Sequence, residues 1–292
     1  MLTLKEYLQQ AAEEKKAIGH FNISNWEGIK ALTEVCQESG APIIMGVSQG
    51  EAGFIGISEI AEIVADIRRN KNIPLFLNAD HFKDMDKVEL AAKAGFDSIL
   101  FDAATDNLMD NIGKTRRAVE LIKSINKEIL TEGELGYIGV GSEVRENVPA
   151  GAVITEEQMI TVEQAREFTE KTGVNMIGPA VGNIHGIVKG YTEKLNFKRI
   201  KQLREGVNAY LVLHGASGID DKSLKKAVAS GMSVVHVNTE LRLAWKNALE
   251  KYMQDNPSVV APYKILEPAV EELKKVIKHK LEVFGWVNES NS

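Results

Sequence analysis

Three histidines stand at the ends of short apolar runs, each beside glycine or aspartate. They lie in Ala79-Asp80-His81, in Gly182-Asn183-Ile184-His185-Gly186 and in Leu213-His214-Gly215-Ala216-Ser217-Gly218. A fourth run ends in Thr131-Glu132-Gly133-Glu134-Leu135-Gly136. Imidazoles and carboxylates delivered by several strand ends to one rim make a metal site. Zinc takes nitrogen and sulfur ligands at about 2.0–2.3 Å, and catalytic zinc commonly keeps three protein ligands and one open position. His81, His185 and His214 fit that pattern, with Glu134 as an added or alternate ligand. A single histidine near apolar residues is more often structural. Three at equivalent places along an alternating chain shift the balance toward a site.

The neighbours of these histidines extend the chemistry. Asp80 reads first as a turn or cap residue, because Asp84 and Asp86 follow closely. At the same rim it is also placed to shuttle a proton for a metal-bound substrate. Gly186, Gly215 and Ser217 suggest a phosphate cradle, since glycines let backbone N–H groups approach an anion. Asn238 and Thr239 follow the last run, and Lys189 adds charge. Side chains alternate along a strand, so Val234, His236 and Asn238 share one face of that run. His236 then faces the site, or it is a polar core residue bonded to a neighbour such as Glu132.

Positioning these groups requires elements of alternating kind. Apolar runs cover residues 17–21, 42–47, 73–79, 98–101, 128–135, 174–180, 210–213 and 233–237. Helical patterns lie between them. Trp26, Ile29, Leu32, Val35 and Cys36 share one helix face, as do Val88, Ala91, Ala92 and Gly95, and then Val119, Leu121, Ile122 and Ile125. Ser24, Ser58, Asp84 and Asp221 stand where N-caps belong, and Gly40, Gly95, Gly173 and Gly231 where helices end. Eight strands with helical crossovers predict a (β/α)8 TIM barrel, whose active sites lie at the strand C-terminal ends. An open doubly wound sheet is the competing fold. Two extra helices, over residues 239–252 and 267–283, follow the last strand. The unpatterned stretch 137–161 is long enough to be a lid.

Bulk properties bound the rest. The chain has 292 residues, is 44% hydrophobic and carries a formal charge of -6. That supports one barrel domain over 1–292 and argues against nucleic acid as a partner. The single cysteine, Cys36, falls on an apolar helix face and reads as a core residue. The N-terminus does not look like a signal peptide, and no run approaches the roughly 18 apolar residues of a membrane span. The expectation is a soluble, cytoplasmic protein with no membrane partner.

Taken in order, these motifs resemble the class II, metal-dependent fructose-bisphosphate and tagatose-bisphosphate aldolases, from Gly19-His20-Phe21-Asn22 through Asn238-Thr239-Glu240-Leu241. The resemblance implies a barrel lyase, usually a homodimer or homotetramer. It implies one catalytic Zn2+ per chain on His81, His185 and His214, with Glu134 at an alternate metal position. It implies activation by a monovalent cation, Na+ or K+. Asp80 would be the acid/base on the C4 hydroxyl of a phosphorylated ketose. Gly186, Lys189, Gly215, Ser217, Asn238 and Thr239 would hold the ketose phosphate and the monovalent ion, and Asn22 and Ser48 would lie near substrate. The expected reaction is reversible cleavage of a ketose 1,6-bisphosphate, foremost fructose 1,6-bisphosphate.

Three stretches depart from the family pattern. The loop acid's position holds Ser142 in Gly139-Val140-Gly141-Ser142-Glu143, which leaves Glu143 or Glu146 for that task. His236 replaces the asparagine of the last strand. Asp102-Ala103-Ala104 replaces Asp-Ala-Ser. An accessory homologue without activity and a metal-dependent barrel hydrolase are the competing functions.

Overall fold

The computed structural model describes residues 2–153 and 155–288. Eight of its strands close a barrel: β1 (Ile18–Asn22), β2 (Ile43–Ser48), β3 (Leu75–Phe82), β4 (Ser98–Phe101), β5 (Leu130–Leu135), β7 (Met176–Pro179), β9 (Tyr210–Leu213) and β10 (Met232–Val237). Neighbours run β1-β10-β9-β7-β5-β4-β3-β2, and every pair is parallel. The fold is therefore a TIM barrel, and the ring closure excludes the open sheet. Two short strands, β6 (Val144–Arg145) and β8 (Ile187–Val188), pair outside it.

The crossovers follow from sequence with small corrections. Helix α2 (Trp26–Ser39) buries Ile29, Leu32, Val35 and Cys36, but Trp26 in its first turn is exposed. Asn25 caps it rather than Ser24, because its side chain reaches Gly28 N at 3.0 Å. Helices α3 (Gln49–Ile55) and α4 (Ile57–Lys71) meet at Gly56, which takes the cap position in place of Ser58. Asp84 caps α5 (Met85–Ala94) as expected. Helix α6 (Leu108–Ile125) precedes β5, and α7 (Val162–Thr172) and α8 (Phe197–Gly206) follow it. Asp220, not Asp221, caps α9 (Asp221–Ala229), which ends at Ser230, one residue before Gly231. Gly40, Gly95 and Gly173 end their helices in the left-handed region. Cys36 is fully buried, and its thiol donates to Ala41 O at 3.4 Å.

Helix α1 (Leu4–Glu14) has no counterpart in the patterns read above. Thr3 and Glu6 form its capping box. Its buried face, Leu4, Leu8 and Ala11, packs on Ile18, Ile44, Phe76, Leu130, Met176, Val212 and Val234. Those seven residues come from seven barrel strands, so α1 closes the barrel's N-terminal end and leaves its C-terminal end for chemistry. Helices α10 (Thr239–Asp255) and α11 (Pro262–Val283) are the two extra helices, each longer than expected, and α11 packs on α2. Among the described residues no helix is long and apolar enough to cross a membrane.

Candidate active site at the barrel mouth

Strand alternation grades the barrel interior from apolar to polar. One layer above the apolar plug lie His20, Asn78, Glu132, His214 and His236, all buried. The next layer up holds Asn22, Ser48, Asp80, Asp102, Glu134 and Asn238. Two strand glycines make room for rings in the lower layer. A Cβ on Gly46 would lie 2.1 Å from the His20 ring, and one on Gly178 would lie 2.6 Å from the His214 ring. His20 and His236 are register partners across β1 and β10, and their rings stack at 3.5 Å and 4°.

β3 breaks the alternation where the chemistry requires it. The strand runs to Phe82, so His81 lies inside it rather than beyond it. Its register shifts between Ala79 and Phe82, and His81 takes φ 52. Left-handed backbone at a residue with a Cβ costs of order 1–3 kcal/mol. The bulge turns His81 toward the same side as Asp80, so two consecutive residues face one cavity.

That cavity has a volume of about 250 Å³ and opens at the strand C-terminal ends. Asn22, Ser48, Asp80, His81, His185, Gly186, Gly215, Ser217, His236, Asn238 and Thr239 line it. His214 and Glu134 are buried and are not among the lining residues. One ring nitrogen each from His81, His185 and His214 lies within 4.8 Å of the others.

The protein holds two of these rings from behind. His81 Nδ1 is 3.2 Å from Asp102 and 3.2 Å from Glu134, and its buried Nε2, 3.8 Å from Asp80 Oδ1, makes no hydrogen bond. His214 Nε2 is 2.8 Å from Glu132, and its buried Nδ1 has no partner. Carboxylates behind imidazoles, with the far nitrogens left open, are the arrangement of metal-binding histidines. The three nitrogens suit Zn2+ and other borderline divalent metals. Glu134 itself belongs to a second group with His81 and Asp102 whose ligand atoms are also within 4.8 Å.

Burial and charge separate the carboxyl groups. Burial pushes Glu132 up to about 8, helped by the Asp80 charge. Burial likewise pushes Glu134 up to about 7, against the opposing pull of His81. Burial would raise Asp80 too, but His81 and His236 hold it well below the usual carboxylate range. Asn22 donates to Asp80 Oδ2 at 2.9 Å, while Oδ1 lies buried 3.5 Å from His236 Nδ1 without a hydrogen bond. Glu132 partners His214, and His236 faces the cavity beside Asp80.

Two expected residues stand away from the cavity. Lys189 pairs with Glu146 at 2.6 Å, and both are exposed. The β6–β8 pairing carries them outward together. The exposed side chain of Glu143 does not line the cavity, and its backbone O accepts from Ile187 N at 2.9 Å. Instead Gly139, Val140, Gly141 and Ser142 cover the cavity.

Lys83, Asp102 and Arg242 also line the cavity. Arg242 reaches Glu51 at 2.7 Å and Ser142 O at 3.1 Å, tying the covering segment to α3. Asn183 donates to His214 O at 2.9 Å, and Asn111 to Glu134 O at 2.9 Å, which fixes both strand ends. Of these residues, only Asn183, inside the glycine-histidine motif, and Asp102, in the Asp102-Ala103-Ala104 stretch, carry a signal in one sequence beyond polarity.

The family model for class-II fructose-bisphosphate aldolase matches residues 2–289. A fructose-bisphosphate aldolase from Staphylococcus aureus (strain Mu50 / ATCC 700699) is 34% identical over 291 residues, covering 99% of this chain and 98% of that protein. A fructose-bisphosphate aldolase from Geobacillus stearothermophilus is 31% identical over 288 residues, covering 98% and 97%. The crystal structure of the YdjI aldolase from Escherichia coli K12 superposes with a TM-score of 0.83 at 26% identity, covering 99% of this chain and 100% of that one.

Proposed function

The chain belongs to the class-II fructose-bisphosphate aldolase family, and from that premise we propose that it reversibly cleaves a ketose 1,6-bisphosphate, foremost fructose 1,6-bisphosphate. The products are dihydroxyacetone phosphate and glyceraldehyde 3-phosphate. The observation that carries this reading is the convergence of three histidine nitrogens beside an ionised, half-satisfied Asp80 at the barrel mouth.

His81, His185 and His214 would hold the metal, proposed as one Zn2+ per chain. When bound, such an ion supplies a Lewis acid for the electrons released at the substrate carbonyl. Asp80 takes the proton from the C4 hydroxyl at Oδ1, the oxygen that Asn22 does not occupy. The C3–C4 bond then breaks, C4 leaves as the aldehyde, and C3 keeps the electron pair until a proton reaches it. Asn22 and His236 hold Asp80 in place from two sides.

Gly186, Gly215, Ser217, Asn238 and Thr239 form the proposed phosphate side. Ser217 Oγ accepts from Asn238 N at 3.2 Å and Glu240 N at 3.3 Å. Both of its acceptor positions are thus used, which leaves its O–H to donate into the cavity it lines. The same loops are the proposed place for a monovalent cation, Na+ or K+. Lys189 is withdrawn from this set by its ion pair with Glu146. Delivery of the C3 proton by Glu143 or Glu146 requires segment 139–148 to move, since Glu143 does not line the cavity and Glu146 is paired outside it. We place the enzyme in the cytoplasm as a homodimer or homotetramer, with exposed Phe54, Val260 and Tyr263 as candidate contact residues.

The test is a coupled cleavage assay on fructose and tagatose 1,6-bisphosphates before and after chelation, with His214→Ala as control. Cleavage of fructose 1,6-bisphosphate, lost with metal and restored with Zn2+, is expected. Turnover unchanged after complete metal removal overturns the mechanism. A preference for the tagatose epimer moves the assignment to that substrate.

A further inference from the structure

Lys280 is the only fully buried lysine among the described residues. It belongs to α11, on the outer side of the barrel, and takes no part in the chemistry above. An ammonium group is costly to bury unless it is paired, and an apolar side chain would fill the same space without that cost. Its partner is Glu240, at 3.0 Å from Nζ. The other oxygen of Glu240 accepts from Gly218 N at 2.8 Å. The backbone N of Glu240 in turn donates to Ser217 Oγ. One carboxylate thus joins the loop after β9 to the first turn of α10 after β10, and Lys280 fixes where that carboxylate stands.

We propose that Lys280 is a positioning residue for the phosphate-binding loops, acting through Glu240 on the segment Gly215–Gly218 and on Asn238 and Thr239. The inference rests on the reading of those loops as the phosphate site. Affinity for a phosphate group depends on N–H and O–H donors being aimed before the ligand arrives. Lys280 and Glu240 supply that alignment from outside the cavity, so their effect falls on binding of the phosphorylated ketose and not on C–C cleavage.

The experiment uses the full-length, metal-loaded enzyme and inorganic phosphate as the probe. Wild type is measured first for ketose bisphosphate cleavage and for competitive inhibition by phosphate. Lys280→Met is expected to raise KM and the phosphate inhibition constant in parallel, by about tenfold, with kcat and metal content held. Lys280→Arg is expected to recover most of that loss. The double variant Lys280→Met with Glu240→Gln leaves no charge unpaired. It should regain thermal stability yet keep the raised KM, because nothing then fixes the side chain at 240. It also carries the test where the single variant fails to fold. A KM within twofold of wild type in Lys280→Met, or a KM that returns together with stability in the double variant, overturns the proposal. Wild type that cleaves nothing and ignores phosphate overturns the loop reading and this inference with it, a result distinct from an active wild type with unchanged variants.

Discussion

His214 Nε2 and Glu132 Oε1 stand 2.8 Å apart in full burial, and the opposite ring nitrogen of His214 is left without a partner. The carboxyl therefore sets both the tautomer and the angle of the imidazole. Glu132→Gln keeps the shape and replaces the ionisable carboxyl behind the imidazole with a neutral amide. Metal affinity should fall about tenfold to a hundredfold, read by titration against a competing chelator, while the folded far-UV spectrum is kept. Affinity equal to wild type would show that Glu132 only fills the barrel.

Asp80 is kept ionised by His81 and His236 in spite of its burial. Asp80→Asn keeps the hydrogen bond to Asn22 within reach but cannot take a proton. kcat should drop by roughly a hundredfold or more, with metal content unchanged by atomic absorption. If kcat is retained, another group deprotonates the C4 hydroxyl.

Much of this site is legible in the residues alone, and the part that is not has physical causes. His185 and His214 can be read because each follows an apolar run and carries glycine beside it. His236 and Asn238 can be read because strand alternation fixes their common face with Val234. The orientation of His81 cannot, since it depends on a bulge and a left-handed backbone that no local pattern demands. Asp102, Lys83 and Arg242 reach the cavity only when β4, β3 and α10 close around it. Lys189 and Glu143 fail to reach it because β6 and β8 pair outside the barrel. The plug helix α1 escapes notice because its apolar face is only Leu4, Leu8 and Ala11.

That plug gives a stability prediction. Leu8 is fully buried between α1 and the barrel floor. Leu8→Ala should destabilise the protein by about 2–5 kcal/mol, seen as a lower denaturant midpoint with an unchanged slope. Metal binding at the opposite end should persist in the folded fraction. A loss below about 1 kcal/mol would mean that the floor collapses around the cavity.

Glu193 gives a pH prediction. Burial pushes its carboxyl up to about 8, although Ile184 N donates to it at 3.2 Å. The folded state therefore binds this proton more tightly than the unfolded chain does. Its contribution is fully present below the unfolded value near 4.5 and is lost as pH rises toward 8. Glu193→Gln keeps an acceptor for Ile184 N and has no proton to lose. The variant should gain stability relative to wild type as pH rises from 5 to 8, on the order of 1–3 kcal/mol at the upper end. Parallel stability curves for the two proteins across that range would refute the assignment.

The covering segment gives the last. Arg242 is bonded to buried Glu51 on one side and to Ser142 O on the other. Glu51 is itself held by Ser48 N at 2.8 Å and Asn22 at 3.3 Å, so it stays ordered without Arg242. The covering segment is held at Val140 O by Arg145 from β6, and at Ser142 O by Arg242, which provides a charge-assisted bond across the cavity mouth. Arg242→Ala should therefore release Gly139–Ser142 and leave α3 in place. Amide hydrogen exchange in 139–148 should quicken by about tenfold, a loss of local opening energy near 1.4 kcal/mol, while amides of α3 and β2 keep their protection. Equal quickening in α3 would show that the arginine braces the whole rim. Unchanged exchange in 139–148 would show that the β6–β8 pairing and the Arg145 bond to Val140 O hold the cover without Arg242.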